Sequence, residues 1–496
     1  MVRGFTFTQR LSATVLLAVG VSGLSNICCD KLTKALSGDK VLSSYNPNYG
    51  AEKEKYWSLS CILTPTCIVI PESSSDVSTA IGVLVKNKCE FGIRGGGHAT
   101  NPGWAGTDSG VLISLSKLNA VKVSEDKQSV VVGAGNRWGD VYAEAGKYGV
   151  TVTGGRVSPV GVSGFLLGGG LHFLMHKEGF AANSVLSYDI VLANGTVATI
   201  TKESAGDLFK ALKGGTGNFG IVTSFKLQTY PVDKAYAGNL QYAPEQYDKL
   251  YPIMEKYARD GIESDPKTHV IATFACAPSQ GIDMASFYPF YSEPVTTPPP
   301  ALKPFFDVPT TLNTVAVKTV KQAADELAVG SEARLSYDMR DFTIRANAGL
   351  FKQLFEIWHS TTIKLNSTSG WYSSIVYQAI SNNMIRASDE KGGNVLGLKP
   401  ADDPLILVSF SSGWASKDDD KKVLAELENL TKASMDIAKS QGLLERYIYL
   451  NYASSDQKPI EAYGPDQVDF LRKVKAKYDP NRVFEKLSRG GFKIPS

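Results

Sequence analysis

The chain lacks several features that would decide its class at once. Beyond its first two dozen residues it has no apolar run long enough to cross a bilayer, which excludes a helical multi-span membrane protein. No Gly-Lys-Ser/Thr accompanies its glycines, so a P-loop is excluded. Without a G-x-S-x-G there is no hydrolase nucleophile elbow. The cysteines form no C-x-x-C and meet no histidine at zinc-ligand spacing. Charge excess is missing too: 52 Lys and Arg against 49 Asp and Glu give +3, with the basic residues scattered. Nothing global therefore points to nucleic acid or an anionic membrane as partner. No internal repeat is present.

What remains is an ordinary globular composition spread over 496 residues, too many for one core, so two lobes are expected. Residues 1–24 read as a secretory signal: Arg3 and Arg10 precede the short apolar "LSATVLLAVGVSGL", with small residues from Gly20 to Gly23 for cleavage. Five of the six cysteines, Cys28, Cys29, Cys61, Cys67 and Cys89, fall early, and Cys276 stands alone. That usage fits disulfides in an oxidising compartment, with the connectivity left open by spacing. Sequons at Asn194, Asn366 and Asn429 are compatible with glycosylation, although Asn194-Gly195 also reads as a tight turn.

Up to about residue 232, short strands and helices alternate with glycine turns. "SSDVSTAIGVLVKNK" is a serine-capped helix, "CEFGIRGGG" a strand running into a glycine loop, "SVVVGAG" a strand and "RWGDVYAEAGKYG" a helix. "LSYDIVLANGTVATIT" is a hairpin turned by Asn-Gly, and "DLFKALKGG" a helix before the strand "IVTSFKLQTYP". After Pro231 glycine thins and longer amphipathic segments appear, among them "EQYDKLYPIMEKYARDG" and "GLFKQLFEIWHSTT", with the proline-rich loop "SEPVTTPPPALKPF" between them. The strand "RYIYLNYA" and the helix "PDQVDFLRKVKAKYDP" are expected to close the chain.

Gly215 to Gly220 match G-x-G-x-x-G, but a helix precedes them and a strand follows, the reverse of a dinucleotide fingerprint. A nicotinamide Rossmann domain is therefore not expected. Three glycine-rich stretches, "RGGGH" (94–98), "GVSGFLLGGG" (161–170) and "GGTGNFG" (214–220), instead suit a long anionic cofactor whose pyrophosphate is held by main chain. One such stretch alone would be turn chemistry. His98 ends the first of them, where an imidazole nitrogen can meet the cofactor itself.

These motifs, with "PTCIVIPESSSDVSTAIGVL", "FGIRGGGHATNPGW", "DIVLANGTV", "YLNYA" and "YGPDQVDFLRKVKAKYDPNRVF", resemble the vanillyl-alcohol-oxidase (PCMH-type) flavoproteins, in the berberine-bridge-enzyme-like branch as found in fungi. The resemblance implies an α+β fold: a two-part PCMH-type FAD-binding domain (25–232) and a substrate domain (233–440) with an antiparallel sheet backed by helices. A C-terminal segment (441–496) would return to the FAD domain. It implies FAD bound covalently through His98, with Arg94, Gly95, Gly96 and Gly97 cradling the pyrophosphate. Gly164, Gly168, Gly169, Gly170, Asn183, Gly217 and Ile221 would line the flavin. The second, cysteinyl bond of many relatives is not expected, because Val157 stands at that position, and Val160 stands where relatives control oxygen access.

Tyr449 and Asn451 would sit beside the flavin ring and substrate, with Tyr449 as proton partner or substrate clamp, made more acidic by nearby positive charge. The acid that serves as base in some relatives cannot be placed here. His172 and His176, four apart, would share a helix face, but no third ligand accompanies them and a metal is not expected. The implied function is a secreted, monomeric oxidase acting on a small molecule and O2, with no nucleic-acid or membrane partner. Its substrate would be an alcohol, an amine or a secondary metabolite, with oxidative cyclisation also open. Carbohydrate oxidation, a flavin-dependent dehydrogenase or cyclase that does not use O2, and an inactive binding relative are the alternatives.

Overall fold

Short β-branched runs bounded by turns give two small sheets in the N-terminal lobe. The computed structural model describes residues 26–330 and 334–496, so the expected signal peptide lies outside the described residues. The first sheet orders Val41–Ser43, Cys67–Val69, Val111–Ser114 and Phe91–Arg94, the last three parallel. Cys67–Val69 and Val111–Ser114 are buried throughout, as parallel strands covered on both faces require. Ser74–Lys86 is the crossover helix, and the Ser73 hydroxyl caps it by accepting from the Asp76 N–H at 3.1 Å. The second sheet is antiparallel: Val121–Val123, Ser129–Gly133, Gly220–Gln228, Val185–Leu192 and Val197–Ile200. Its hairpin turns at Asn194-Gly195 with Gly195 at φ +83°, and Asn194 is exposed.

Disulfides Cys28–Cys89 and Cys29–Cys67 pin the helix 26–35 to the first sheet, while Cys61 and Cys276 are free and buried. Among the described residues no helix is long and apolar enough to cross a membrane.

The second lobe is built on a ten-stranded antiparallel sheet. Its centre runs Ile282–Tyr291, Thr268–Ala277, Tyr372–Ile380, Leu405–Trp414 and Ser336–Arg345. Ala348–Lys364 packs across the middle of this sheet, flanked by Tyr247–Lys256 and Asp420–Ser440. Together they enclose a core of Phe274, Phe351, Trp358, Ile375, Tyr377 and Phe410. The opposite face of the sheet turns toward the first lobe.

The chain end departs from expectation. "RYIYLNYA" is not a strand: only Leu444–Glu445 pairs, with Thr343 and Ile344, and residues 446–453 are irregular. Its alternating aromatics imitate a strand, but its anchors are side chains rather than a ladder.

Candidate functional site

Between the lobes lies a cavity of about 930 Å³. One wall is made by loops of the N-terminal lobe, 95–98, 155–164 and 216–222; the other is the free face of the large sheet, and segments 449–453 and 488–493 close the end. The sheet contributes alternate residues: Thr273 and Ala275, then Ser374, Val376 and Gln378, then Ser409 and Ser411. That spacing is the period-2 pleat, since Phe274, Ile375, Tyr377 and Phe410 point into the core behind.

Gly95, Gly96, Gly97 and His98 all line the cavity. The strand Phe91–Arg94 delivers them, and Arg94 fastens its end. Arg94 is 1% exposed and pairs with Glu52 at 2.5 Å, sharing Ser114. Burial alone would raise the Glu52 carboxyl, yet hydrogen bonds from Lys55 and Ser114 and the Arg94 charge hold it below the usual range. Glu52 holds the Arg94 Nη2, its Nη1 has no partner, and the residue borders a polar pocket of about 600 Å³ that Gly95 shares with the main cavity. The loop itself is packed backbone to backbone: a Cβ on Gly96 would lie 2.3 Å from Gly161 Cα.

His98 stacks on Trp57, ring centroids 4.4 Å apart, and Trp57 stacks in turn on Tyr337. Its Nε2 is buried with no hydrogen-bond partner. Burial, then the Arg137 charge, lowers its pKa to about 4, so the ring is neutral at neutral pH and keeps a lone pair.

Tyr449 and Asn451 also line the cavity. The Tyr449 oxygen accepts from the Leu171 N–H at 3.1 Å and from Asn451 Nδ2 at 3.0 Å. Asn451 Nδ2 also donates to Phe165 O at 3.1 Å. Burial, with Tyr452 beside it, pushes the Tyr449 phenol well above its usual pKa. Asn451, Arg156 and the Leu171 N–H oppose that shift without cancelling it. The expected gain in acidity is therefore not present in the protein alone. Two N–H donors already on the oxygen leave its proton free to point elsewhere, and both would stay to stabilise a phenolate.

What aims Tyr449 is the strand Ser336–Arg345. Buried Asp341 accepts from the Tyr449 N–H at 2.6 Å, and Gln457 bonds the Asp341 backbone at both ends. Asp338 accepts from the Ser454 hydroxyl, and Arg340 pairs with Asp456. Sequence reasoning missed Asp341 and Arg340 because no local pattern links residues more than a hundred positions apart.

Gly164, Gly217 and Ile221 line the cavity, as do Val157 and Val160. Gly168, Gly169, Gly170 and Asn183 do not. Gly168 makes room for Asn451, since a Cβ there would lie 2.0 Å from Asn451 Oδ1. Gly169 and Gly170 form a left-handed turn, at φ +107° and +82°. Asn183 is spent on the protein, donating to Ser388 O and Gly393 O and accepting from Asn394. His172 and His176 share no helix face, because the helix begins only at Met175. Both are buried and uncharged: His172 bridges Gly179 O and the Leu174 N–H, and His176 meets the Ser381 hydroxyl.

The cavity fits a long flavin nucleotide on its own evidence. A Cβ added at Gly164 or Gly217 would meet no protein atom within 4 Å, so protein packing does not explain these bare positions on the wall. His98 lines the same space, and its neutral ring carries a buried, unpartnered Nε2. Room for a bound group and an uncommitted imidazole beside it are what such a cofactor needs.

Known proteins agree with this geometry. The family model described as FAD binding domain matches residues 65–201, and that for berberine and berberine-like proteins matches 448–486. The FAD-dependent monooxygenase drtC of Aspergillus calidoustus is 33% identical, over 96% of this chain and 92% of that protein. The FAD-dependent monooxygenase tpcD of Cochliobolus heterostrophus is 34% identical, over 87% and 85%. Among solved structures, 6-hydroxy-D-nicotine oxidase from Arthrobacter nicotinovorans superposes with a TM-score of 0.78 at 21% identity, over 92% and 97% of the two chains. Xylooligosaccharide oxidase from Myceliophthora thermophila C1 gives 0.76 at 19% identity, over 94% and 99%. At those identities the two structures establish the fold alone.

Proposed function

The chain belongs to the berberine-bridge-enzyme-like family of FAD-dependent oxidoreductases, and from that premise we propose a secreted oxidase of small molecules. Its substrate is an alcohol, an amine or a secondary metabolite, O2 is the final acceptor and hydrogen peroxide the product. It acts as a monomer, without nucleic-acid or membrane partners. The observation that carries this reading is His98, whose neutral ring ends the glycine loop with Nε2 buried and unpartnered at the cavity wall.

Bound FAD supplies a hydride-accepting ring. His98 anchors that ring covalently, and Val157 offers no second bond. Gly95 to Gly97 hold the pyrophosphate by their N–H groups, while Gly164, Gly217 and Ile221 shape the surrounding wall. Tyr449 takes the substrate proton in its ionised form, and its two N–H donors with Arg156 stabilise the phenolate that must stand there before the transfer. Asn451 keeps the tyrosine oxygen in register. Val160 borders the path by which oxygen enters. The two disulfides suit an oxidising compartment and support secretion, and the exposed sequons Asn194, Asn366 and Asn429 are compatible with glycosylation, Asn194 least so because its side chain serves the hairpin turn.

Acid precipitation of the purified protein tests the anchor: the pellet stays yellow, and His98→Ala releases the colour to the supernatant. A peroxide-coupled screen then tests turnover, which Tyr449→Phe should lower on the order of 100-fold if it moves the proton. Unchanged turnover in that variant removes Tyr449 from the mechanism.

The relatives' names favour one second reading, oxygen insertion rather than peroxide release. Turnover under 18O2 separates the two: label in the product supports insertion, and stoichiometric peroxide with unlabelled product supports the oxidase.

A further inference from the structure

Arg156 is 6% exposed and sits on the cavity wall between Gly155 and Val157. Its two side-chain partners are neutral. Nη1 meets His269 Nε2 at 3.0 Å, and Nη2 donates to the Tyr452 hydroxyl at 2.9 Å. His269 is wholly buried on the strand Thr268–Ala277, and its Nδ1 has no partner. Burial and the neighbouring Arg156 charge keep it unprotonated, so it accepts from the arginine and adds no charge. His176 lies behind it, ring centroids 5.5 Å apart, and is uncharged as well.

Nothing in front of the arginine balances it either. Among the described residues the cavity is lined by no aspartate and no glutamate. A guanidinium withdrawn from water without a counter-ion is costly, and such sites persist where a ligand supplies the missing charge. Lys493 also lines the cavity, but its ammonium is turned to Phe484 O. The arginine is placed at the reacting end: Tyr452, which it holds, packs edge-on against Tyr449 with centroids 4.9 Å apart.

We infer that Arg156, held by His269 and Tyr452, forms an anion subsite that selects substrates carrying a carboxylate or ionised phenol beside the reacting carbon. The inference rests on the oxidase reading for the word substrate, but the charge argument stands without it. A planar guanidinium suits such an anionic oxygen, while the proton of the reacting group is left to Tyr449.

The test is binding to the FAD-loaded protein, read from perturbation of the flavin absorption band, with benzoate and its neutral isostere benzamide as probes. Wild type should bind benzoate at least ~10-fold more tightly than benzamide, the gap expected for a charge-assisted bidentate contact. Arg156→Gln should abolish that preference and leave benzamide unchanged, and Arg156→Lys should restore part of it as a point charge. Phenol titrated above and below its ionisation tests the phenolate arm in the same way. Equal binding of benzoate and benzamide by wild type overturns the proposal, as does absence of binding by either. Loss of flavin in Arg156→Gln and Arg156→Lys alike assigns the arginine to the cofactor and overturns it too. Peroxide is not measured here, so failure of the oxidase reading leaves this contrast intact.

Discussion

Replacing Glu52 by leucine leaves Arg94 as an uncompensated cation in the wall beneath the glycine loop. The pair is 2.5 Å apart, with side chains 2% and 6% exposed. Removing one partner of such a pair costs about 3–5 kcal/mol. Lys55, the second cation on Glu52, is 52% exposed, so its share is screened to less than about 1 kcal/mol. Leucine recovers some apolar burial but cannot satisfy Arg94, which already has an unpartnered Nη1, so a net loss of about 3 kcal/mol is expected. The double variant Glu52→Leu/Arg94→Met removes both charges and keeps the volume. The Ser114 and Ser116 hydroxyls and the half-exposed Lys55 then lose Glu52 as acceptor, a cost of about 1–2 kcal/mol, so the double variant should be more stable than Glu52→Leu. Urea unfolding followed by far-UV circular dichroism, run as a double-mutant cycle, reads these differences. A loss below 1 kcal/mol in Glu52→Leu, or simple additivity in the cycle, would refute the reasoning.

Two further outcomes follow from the anchoring of Tyr449. Asp341 is buried, and burial raises its carboxyl well above the usual range, so its contribution to stability is fully present below about pH 3.9, the unfolded value. It is lost as pH rises toward the folded value. Asp341→Asn keeps an acceptor for the Tyr449 N–H without that liability, so its stability relative to wild type should increase between pH 4 and pH 8. A difference independent of pH in urea unfolding contradicts this. Gly168→Ala places a Cβ 2.0 Å from Asn451 Oδ1 while the backbone, at φ −99°, accepts alanine without strain. Stability should change by less than ~1 kcal/mol while turnover falls several-fold; wild-type turnover in this variant removes Asn451 from the site.

Sequence reasoning reached the N-terminal lobe because its signals are local. The Ser73 cap, the Asn194-Gly195 hairpin and the strand leading to Gly95 each declare themselves within a few residues. It named His98 and Tyr449 by their motifs, and both line the cavity. It placed residues 446–453 wrongly because alternating tyrosines satisfy a strand pattern whether or not a neighbouring edge is free. The Tyr449 N–H goes to the Asp341 side-chain oxygen instead of a ladder carbonyl. It could not find Arg156, whose meaning depends on His269 and Tyr452, 113 and 296 positions away. It also assigned Asn183 by position in a motif, where only the packed structure reveals that its side chain is engaged by Ser388, Gly393 and Asn394.

The pleat of the large sheet has a consequence for how such a protein diversifies. Thr273, Ser374, Gln378, Ser409 and Ser411 look into the cavity, while their immediate neighbours Phe274, Ile375, Tyr377 and Phe410 look into the core. Recognition and folding are therefore written on alternate letters of the same strands. A lineage can change what it recognises through single substitutions on one set of letters while selection for folding guards the other. The loops of the N-terminal lobe and residues 449–453 form the rest of the wall, so changes on the cavity-facing letters leave that part of the site in place.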